Sequence, residues 1–358
     1  MKRILLFVVL SAVLLSLWGC NGKPEARPFI TKWQGKAGQE LKSPILGTYT
    51  LTWYNEATPD DKHTEQVTVT SHQGKFVSEE STPYIFTPPT DGIYVVEAGP
   101  EGVEGMLMSF AKTEDFAPTL LKVVQFGDVV WKKLHYAFAS CENMRFEERI
   151  DIPNLSQCTS LKAMFWGCSA FNAPLDTWDV SKITNMNNMF RNCETFNQPL
   201  ESWDVSHVTD MEGMFYGCET FDHPLERWDV SQVTNMSGMF VNCSAFNQPL
   251  EKWNVSNVTN MGSMFHACTV YNQPLAQWDV AKVTDMCFMF LRCSSFNQSL
   301  EAWKINPLAQ TEGMAGMFAG SPAAELPFVA KWREAGYQLD ELEVEDLMDE
   351  YEDAMREQ

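Results

Sequence analysis

Positive charge is scarce in this sequence. Lys and Arg number 26 against 47 Asp and Glu, a formal charge of −21 over 358 residues. Such a chain repels a phosphate backbone rather than neutralising it, which excludes nucleic-acid binding. Histidine is sparse, six in all, and none stands in H-E-x-x-H. G-x-S-x-G, Walker A and Rossmann glycine patterns are missing, so the usual grounds for hydrolase or nucleotide chemistry are gone. No C-x₂-C pair with nearby His offers a metal site. After the first twenty residues no run is apolar enough for a transmembrane helix. The expectation is a protein that is not an enzyme and carries neither metal nor cofactor. The chain does have 45% apolar and 20% charged residues, the balance of a folded protein. Part of the acidity is local: residues 338–358 hold ten acids and one base.

Residues 1–19 read as a signal peptide, with Lys2 and Arg3 ahead of an apolar run from Ile4 to Leu17 that is too short for a permanent span. Its end, Leu17-Trp18-Gly19-Cys20, resembles a bacterial lipobox, which implies cleavage before Cys20 and a lipid on its thiol. Residues 20–39, bearing Gly and Pro with little periodicity, read as the anchor and tether. Residues 40–111 alternate in short β-rich runs, such as Thr48–Tyr54, between Pro, Gly and Asp turns. They read as a small β-sandwich module.

A 25-residue period organises most of the remaining chain. Cys168, Cys193, Cys218, Cys243, Cys268 and Cys293 keep it, as do Trp178, Trp203, Trp228, Trp253, Trp278 and Trp303. One copy, Glu194 to Cys218, is ETFNQPLESWDVSHVTDMEGMFYGC. Within it, Leu200, Trp203 and Val205 end on a step of two, which predicts a short strand. Val208, Met211, Met214, Phe215 and Cys218 come at steps of three or four, which predict a helical or 3₁₀ return. One copy cannot bury its own apolar stripe, so copies must stack. The expected fold is an α/β repeat: a leucine-rich-repeat-like solenoid of about 25-residue turns over 112–328, behind the β-sandwich module. An acidic helix or tail, 329–358, then either caps the array or serves as a docking segment.

The string W-D-V-S-x-V-T-x-M-x-x-M-F-x-x-C-x-x-F-N-Q-P-L resembles the repeat of BspA-type leucine-rich-repeat bacterial surface proteins. LLKVVQFGDVVWKKLHYAFASCENM (Leu120–Met144) resembles the segment that precedes those repeats. The resemblance spans Leu120 to Gly320. It implies a lipid-anchored surface protein used for adhesion or protein recognition, with extracellular or host matrix proteins as partners. The localisation it implies is the cell envelope, lipid-anchored at the outer membrane and exposed at the surface. An envelope scaffold that binds the cell's own components is the alternative.

Candidate sites lie where the copies differ or repeat a charge. Thr177, Ser202, Arg227, Lys252 and Gln277, with Lys182, His207 and Lys282, form the candidate binding face, together with the row Asp179, Asp204, Asp229 and Asp279. Stacked carboxylates repel unless each is satisfied locally, so the row either accepts backbone N–H groups or attracts a cation or basic partner. The column Asn172, Asn197, Asp222, Asn247, Asn272 and Asn297 is expected to bond the backbone of successive copies. The cysteine column reads as buried free thiols, while Cys158 and Cys287 outside it are the expected reactive ones.

Overall fold

The computed structural model describes residues 26–69, 84–108, 119–309 and 313–339. The lipobox with Cys20, and the whole acidic segment after Leu339, lie outside these residues.

Nine strands open the described chain: β1 (Phe29–Gly35), β2 (Leu41–Ser43), β3 (Ile45–Asn55), β4 (His63–Val69), β5 (Tyr84–Phe86), β6 (Gly92–Ala98), β7 (Val103–Met106), β8 (Leu120–Gln125) and β9 (Arg145–Phe146). Seven make a mixed sheet in the order β4-β3-β6-β1-β8-β9, with β7 also on β3, and β2 pairs with β5 separately. Alternation explains the strands. In β3, Tyr49, Leu51 and Trp53 are buried, while the hydroxyls of Thr48 and Thr52 meet those of Thr68 and Thr64 across the ladder at 3.1 and 3.0 Å. The expected tether is therefore shorter than 20–39, because Phe29–Gly35 is an inner strand between β6 and β8. Its alternating Phe29, Thr31 and Trp33 are all buried.

The sheet passes into the repeats without a break. The Met106 and Met108 N–H groups donate to the Lys133 and Tyr136 carbonyls, and the Tyr136 N–H donates to Lys162. From there, parallel bridges link Ser160, Asn185, Asp210, Asn235, Asn260 and Asp285, one per copy. One hydrophobic core runs from Phe29 to Leu339.

The expected α/β leucine-rich-repeat-like solenoid behind a β-sandwich is corrected on both counts. The described chain is mostly β, its N-terminal part is one mixed sheet with a two-stranded annex, and among the described residues the 25-residue copies hold no α-helix and one 3₁₀ turn, Pro307–Ala309 in the last. In place of the expected helical return stands a series of tight turns. From Met186 to Cys193 the backbone N–H groups alternate in target. Those of Met186, Asn188, Phe190 and Asn192 donate to the next copy, and those of Met189, Arg191 and Cys193 donate three residues back. The Asn187 N–H donates to the Asn185 Oδ1 at 3.0 Å, so every backbone donor in the segment is used. Asn188 and Asn192 hold left-handed φ values of 55° and 58°, and the same two places in the next copy are Gly213 and Gly217. That four-residue recurrence suits Gly and Asn. The strand expected at L-x-x-W-x-V is absent too, since the Trp203 N–H turns back to the Leu200 carbonyl.

Side-chain columns bind the copies. Phe165, Phe190, Phe215, Phe240, Phe265, Phe290 and Phe318 stack in file at 5.5–5.7 Å. Each column Cys thiol from Cys168 onward donates to a Phe carbonyl of the preceding copy, as Cys218 does to Phe190 at 3.0 Å. At the far end the helix α1 (Pro327–Glu334), started by proline, buries Phe328, Val329 and Trp332 and sets Phe328 edge-on against Phe318. The acidic C-terminal helix expected over 329–358 is thus, where described, this short closing helix.

Tyr271 stands where other copies have Phe. Its ring keeps the column, 5.9 Å from Phe246, but its hydroxyl is fully buried with no partner among the described residues. A buried unsatisfied hydroxyl costs about 1–3 kcal/mol. Tyr271→Phe is expected to raise the urea midpoint of unfolding; an unchanged or lowered midpoint contradicts the assignment.

Candidate interaction faces

The twelve residues of the face expected from the sequence, from Thr177 to Lys282, are all exposed. Three of them reach back to other residues of the preceding copy: Ser202 Oγ donates to the Asp176 carbonyl at 2.8 Å, and Lys252 Nζ pairs with Glu226 at 3.2 Å. Lys282 Nζ reaches Asn257 Oδ1 at 2.7 Å. The Asp row is locally occupied. Asp204 Oδ1 accepts from the Ser206 N–H at 3.1 Å and from its hydroxyl at 2.6 Å, and Asp179 repeats this with Ser181. Asp229 and Asp279 accept from the Ser231 and Ala281 N–H groups. The Ser hydroxyls hold the Asp179 and Asp204 carboxyls below the usual carboxylate range. Among the described residues no group of three or more His, Cys, Asp or Glu could hold a metal.

The Asn column forms a ladder. The side-chain oxygens of Asn172, Asn197, Asp222, Asn247 and Asn272 each accept the backbone N–H of the corresponding residue one copy on, at 2.9–3.1 Å.

The nine described cysteines are free. Burial pushes the column thiols up, and the expected reactivity of Cys158 and Cys287 is not supported by their surroundings. Burial raises both, and for Cys287 the neighbouring Asp285 adds to the rise, to about 12. Neither holds the thiolate that nucleophilic or redox reactivity needs.

A second face is added by the structure. The residues immediately after the column Phe side chains, Trp166, Arg191 and Tyr216, stand side by side on successive copies, and Tyr136 from the junction with the sheet joins their row. The Arg191 guanidinium lies 4.0 Å from the Tyr216 ring centre and 5.6 Å from that of Trp166, and Tyr136 packs on Trp166 at 5.9 Å. Arg191 and Tyr136 are only 4% and 5% exposed, so they back the half-buried Trp166 and Tyr216 rings, which are the members of the row that a partner can reach. Beside it, burial and Asp210 raise the half-buried Glu212 carboxyl, while burial, Lys133 and Lys162 lower His135. The equivalent places in later copies are Val241, His266 and Leu291. Chemical diversity at one position of the M-x-x-M-F-x-x-C frame, whose first Met is Leu161 in the copy with Trp166, is the signal in the sequence. The helical spacing of that frame masks it, because a buried return would turn the position inward.

His266 supplies a pH test. It is 8% exposed, and burial, aided by Arg292, lowers its pKa to about 4. A folded-state pKa below the ordinary 6.5 means that the unfolded chain binds the proton first, so stability is full above pH 6.5 and falls as pH drops toward 4. His266→Gln is expected to flatten the urea midpoint over that window; the same slope in both proteins contradicts it.

A family model described as "Mycoplasma protein of unknown function, DUF285" matches residues 132–235 and 223–332. No curated protein and no solved structure matches the chain. No helix among the described residues is long and apolar enough to cross a membrane.

Proposed function

We propose that this chain, which belongs to the family described as Mycoplasma protein of unknown function, DUF285, is a lipid-anchored cell-surface protein that recognises another protein through its stacked copies. The observation that carries this reading is the preassembled Tyr136–Trp166–Arg191–Tyr216 row. Trp, Tyr and Arg dominate the energetic centres of protein interfaces, and side chains already fixed lose little entropy on binding. The exposed face from Thr177 to Lys282 supplies a second, polar surface on the same body. The likeness of the repeat to BspA-type surface proteins supports an extracellular or host matrix protein as partner, and the lipobox-like Leu17–Cys20 supports the anchor.

The test is binding of the purified chain to immobilised extracellular matrix proteins. Trp166→Ala is expected to weaken a positive interaction by about tenfold or more, while Arg227→Ala changes it little. The reverse ranking places recognition on the other face, and no binding to any of them removes the matrix-protein reading.

A further inference from the structure

A cavity of about 590 Å³ opens where the sheet meets the first regular copy. Its floor is Phe146, Ile150 and Trp178, and its rim carries Glu148 and Asp176. It occupies the place where one more copy would lie, and two interrupted ladders mark it. Trp203, Trp228, Trp253, Trp278 and Trp303 each donate their indole N–H to a Leu carbonyl of the preceding copy at 2.8–2.9 Å. Trp178, the first of the column and 5% exposed, has no such partner among the described residues. Likewise Asn197 and its successors receive a side-chain oxygen from the copy before, whereas the Asn172 N–H takes none among the described residues.

The cause lies in the preceding chain, which is drawn onto the sheet. Arg145 and Phe146 pair in parallel with Lys122 and Val123. The Asp151 carboxylate accepts the Phe126 and Gly127 N–H groups at 2.6 and 2.9 Å and pairs with Arg27 at 3.2 Å. The acceptors that each later copy finds behind it are therefore absent at the first.

We infer that this cavity is a binding site for an extended peptide segment of a partner protein, carrying a basic side chain. The segment stands in for the missing copy: its carbonyls accept the Trp178 Nε1–H and the Asn172 N–H, as Leu and Asn oxygens do elsewhere in the array. Its apolar side chains cover Phe146 and Ile152, the latter 53% exposed. The lining holds four carboxylates, Glu147, Glu148, Asp151 and Asp176, against Arg145 alone. Glu148 and Asp176 have no ion-pair partner among the described residues, so the rim favours Lys or Arg on the incoming segment. Both donors face the cavity side rather than a sealed interior, so an incoming carbonyl can reach them without displacing protein atoms.

This inference rests on the protein-recognition reading and deepens it. The test uses the purified full chain with ¹⁵N-labelled tryptophan indoles, of which it has twelve, and Trp178→Phe to assign the Trp178 signal. Titration with acetyl-Val-Lys-Val-amide is expected to move that signal saturably, with acetyl-Val-Glu-Val-amide as the contrast. The double variant Glu148→Gln, Asp176→Asn is expected to weaken the lysine peptide about tenfold. A Trp178 signal that ignores the lysine peptide, or that responds to both peptides equally, overturns the inference. Because the peptides are tested on the isolated protein, that failure is separate from a failure to bind matrix proteins or to face outward.

Discussion

Trp228→Ala is expected to lower the stability of the chain by about 3–5 kcal/mol, read as a fall in the urea midpoint of unfolding. Trp228 is 3% exposed and packs on Phe215 with ring centres 6.3 Å apart. Truncation leaves a void between copies that the neighbours cannot close, because each is fixed by its own column. It also strips the Leu200 carbonyl of the indole N–H that reaches it at 2.9 Å. Since each copy touches only its neighbours, the defect breaks the array at one joint. By contrast Arg227→Ala, one residue away and exposed, is expected to stay within about 0.5 kcal/mol of the parent. Equal midpoints for Trp228→Ala and the parent contradict the inward assignment of the column.

Gly47→Ala is expected to cost about 2–4 kcal/mol in the same measurement, from left-handed strain and overpacking together. Gly47 holds φ +123°, where an added Cβ stands 1.9 Å from the Gly102 carbonyl oxygen. That oxygen is a backbone atom, bonded by the Thr48 N–H at 3.1 Å, and cannot swing aside as a side-chain end can. The register of β3 on β7 shifts at this point, so the glycine marks the irregularity by which two strands approach closely. A variant as stable as the parent contradicts this close approach. Gly38, with open space around it despite its φ of +76°, is the milder comparison.

Trp228 and Gly47 also mark the two ends of what is legible in the sequence. Trp228 is one of a column whose period is plain in the chain, and burial comes directly from an apolar residue type recurring every 25 positions. The inward set of Leu, Trp, Val, Met, Phe and Cys is therefore readable, and so is the Asn ladder, because a repeated amide suits a repeated unpaired N–H. The backbone between them is not. Steps of three among Met211, Met214 and the residues after them fit a helix, but they fit equally a run of turns that close three residues back. The deciding sign is the left-handed pair, Asn188 and Asn192 in one copy, Gly213 and Gly217 in the next. A helix interior disfavours glycine at such fixed intervals. In the sheet, Phe29–Gly35 is hidden between Pro28 and Gly38, and its alternation is too short to outweigh such neighbours.

The candidate site is legible in the same uneven way. Exposure of Arg227 or Lys252 is predictable from charge and position. The Tyr136–Trp166–Arg191–Tyr216 row depends on residues 30, 25 and 25 apart in sequence, in a segment whose helical spacing suggests burial. The cavity below Trp178 depends on where the chain from Arg145 to Ile152 departs from the array, and only tertiary pairing with the sheet decides that.

The central claim, a protein held at the cell surface and facing outward, is tested most directly by protease shaving of intact cells that express the native chain. A periplasmic control must stay uncut, and lysed cells must show that the stacked copies can be cleaved. Digestion of the chain in intact cells is the predicted result. Protection in intact cells with cleavage after lysis contradicts the claim and turns the search toward partners inside the envelope.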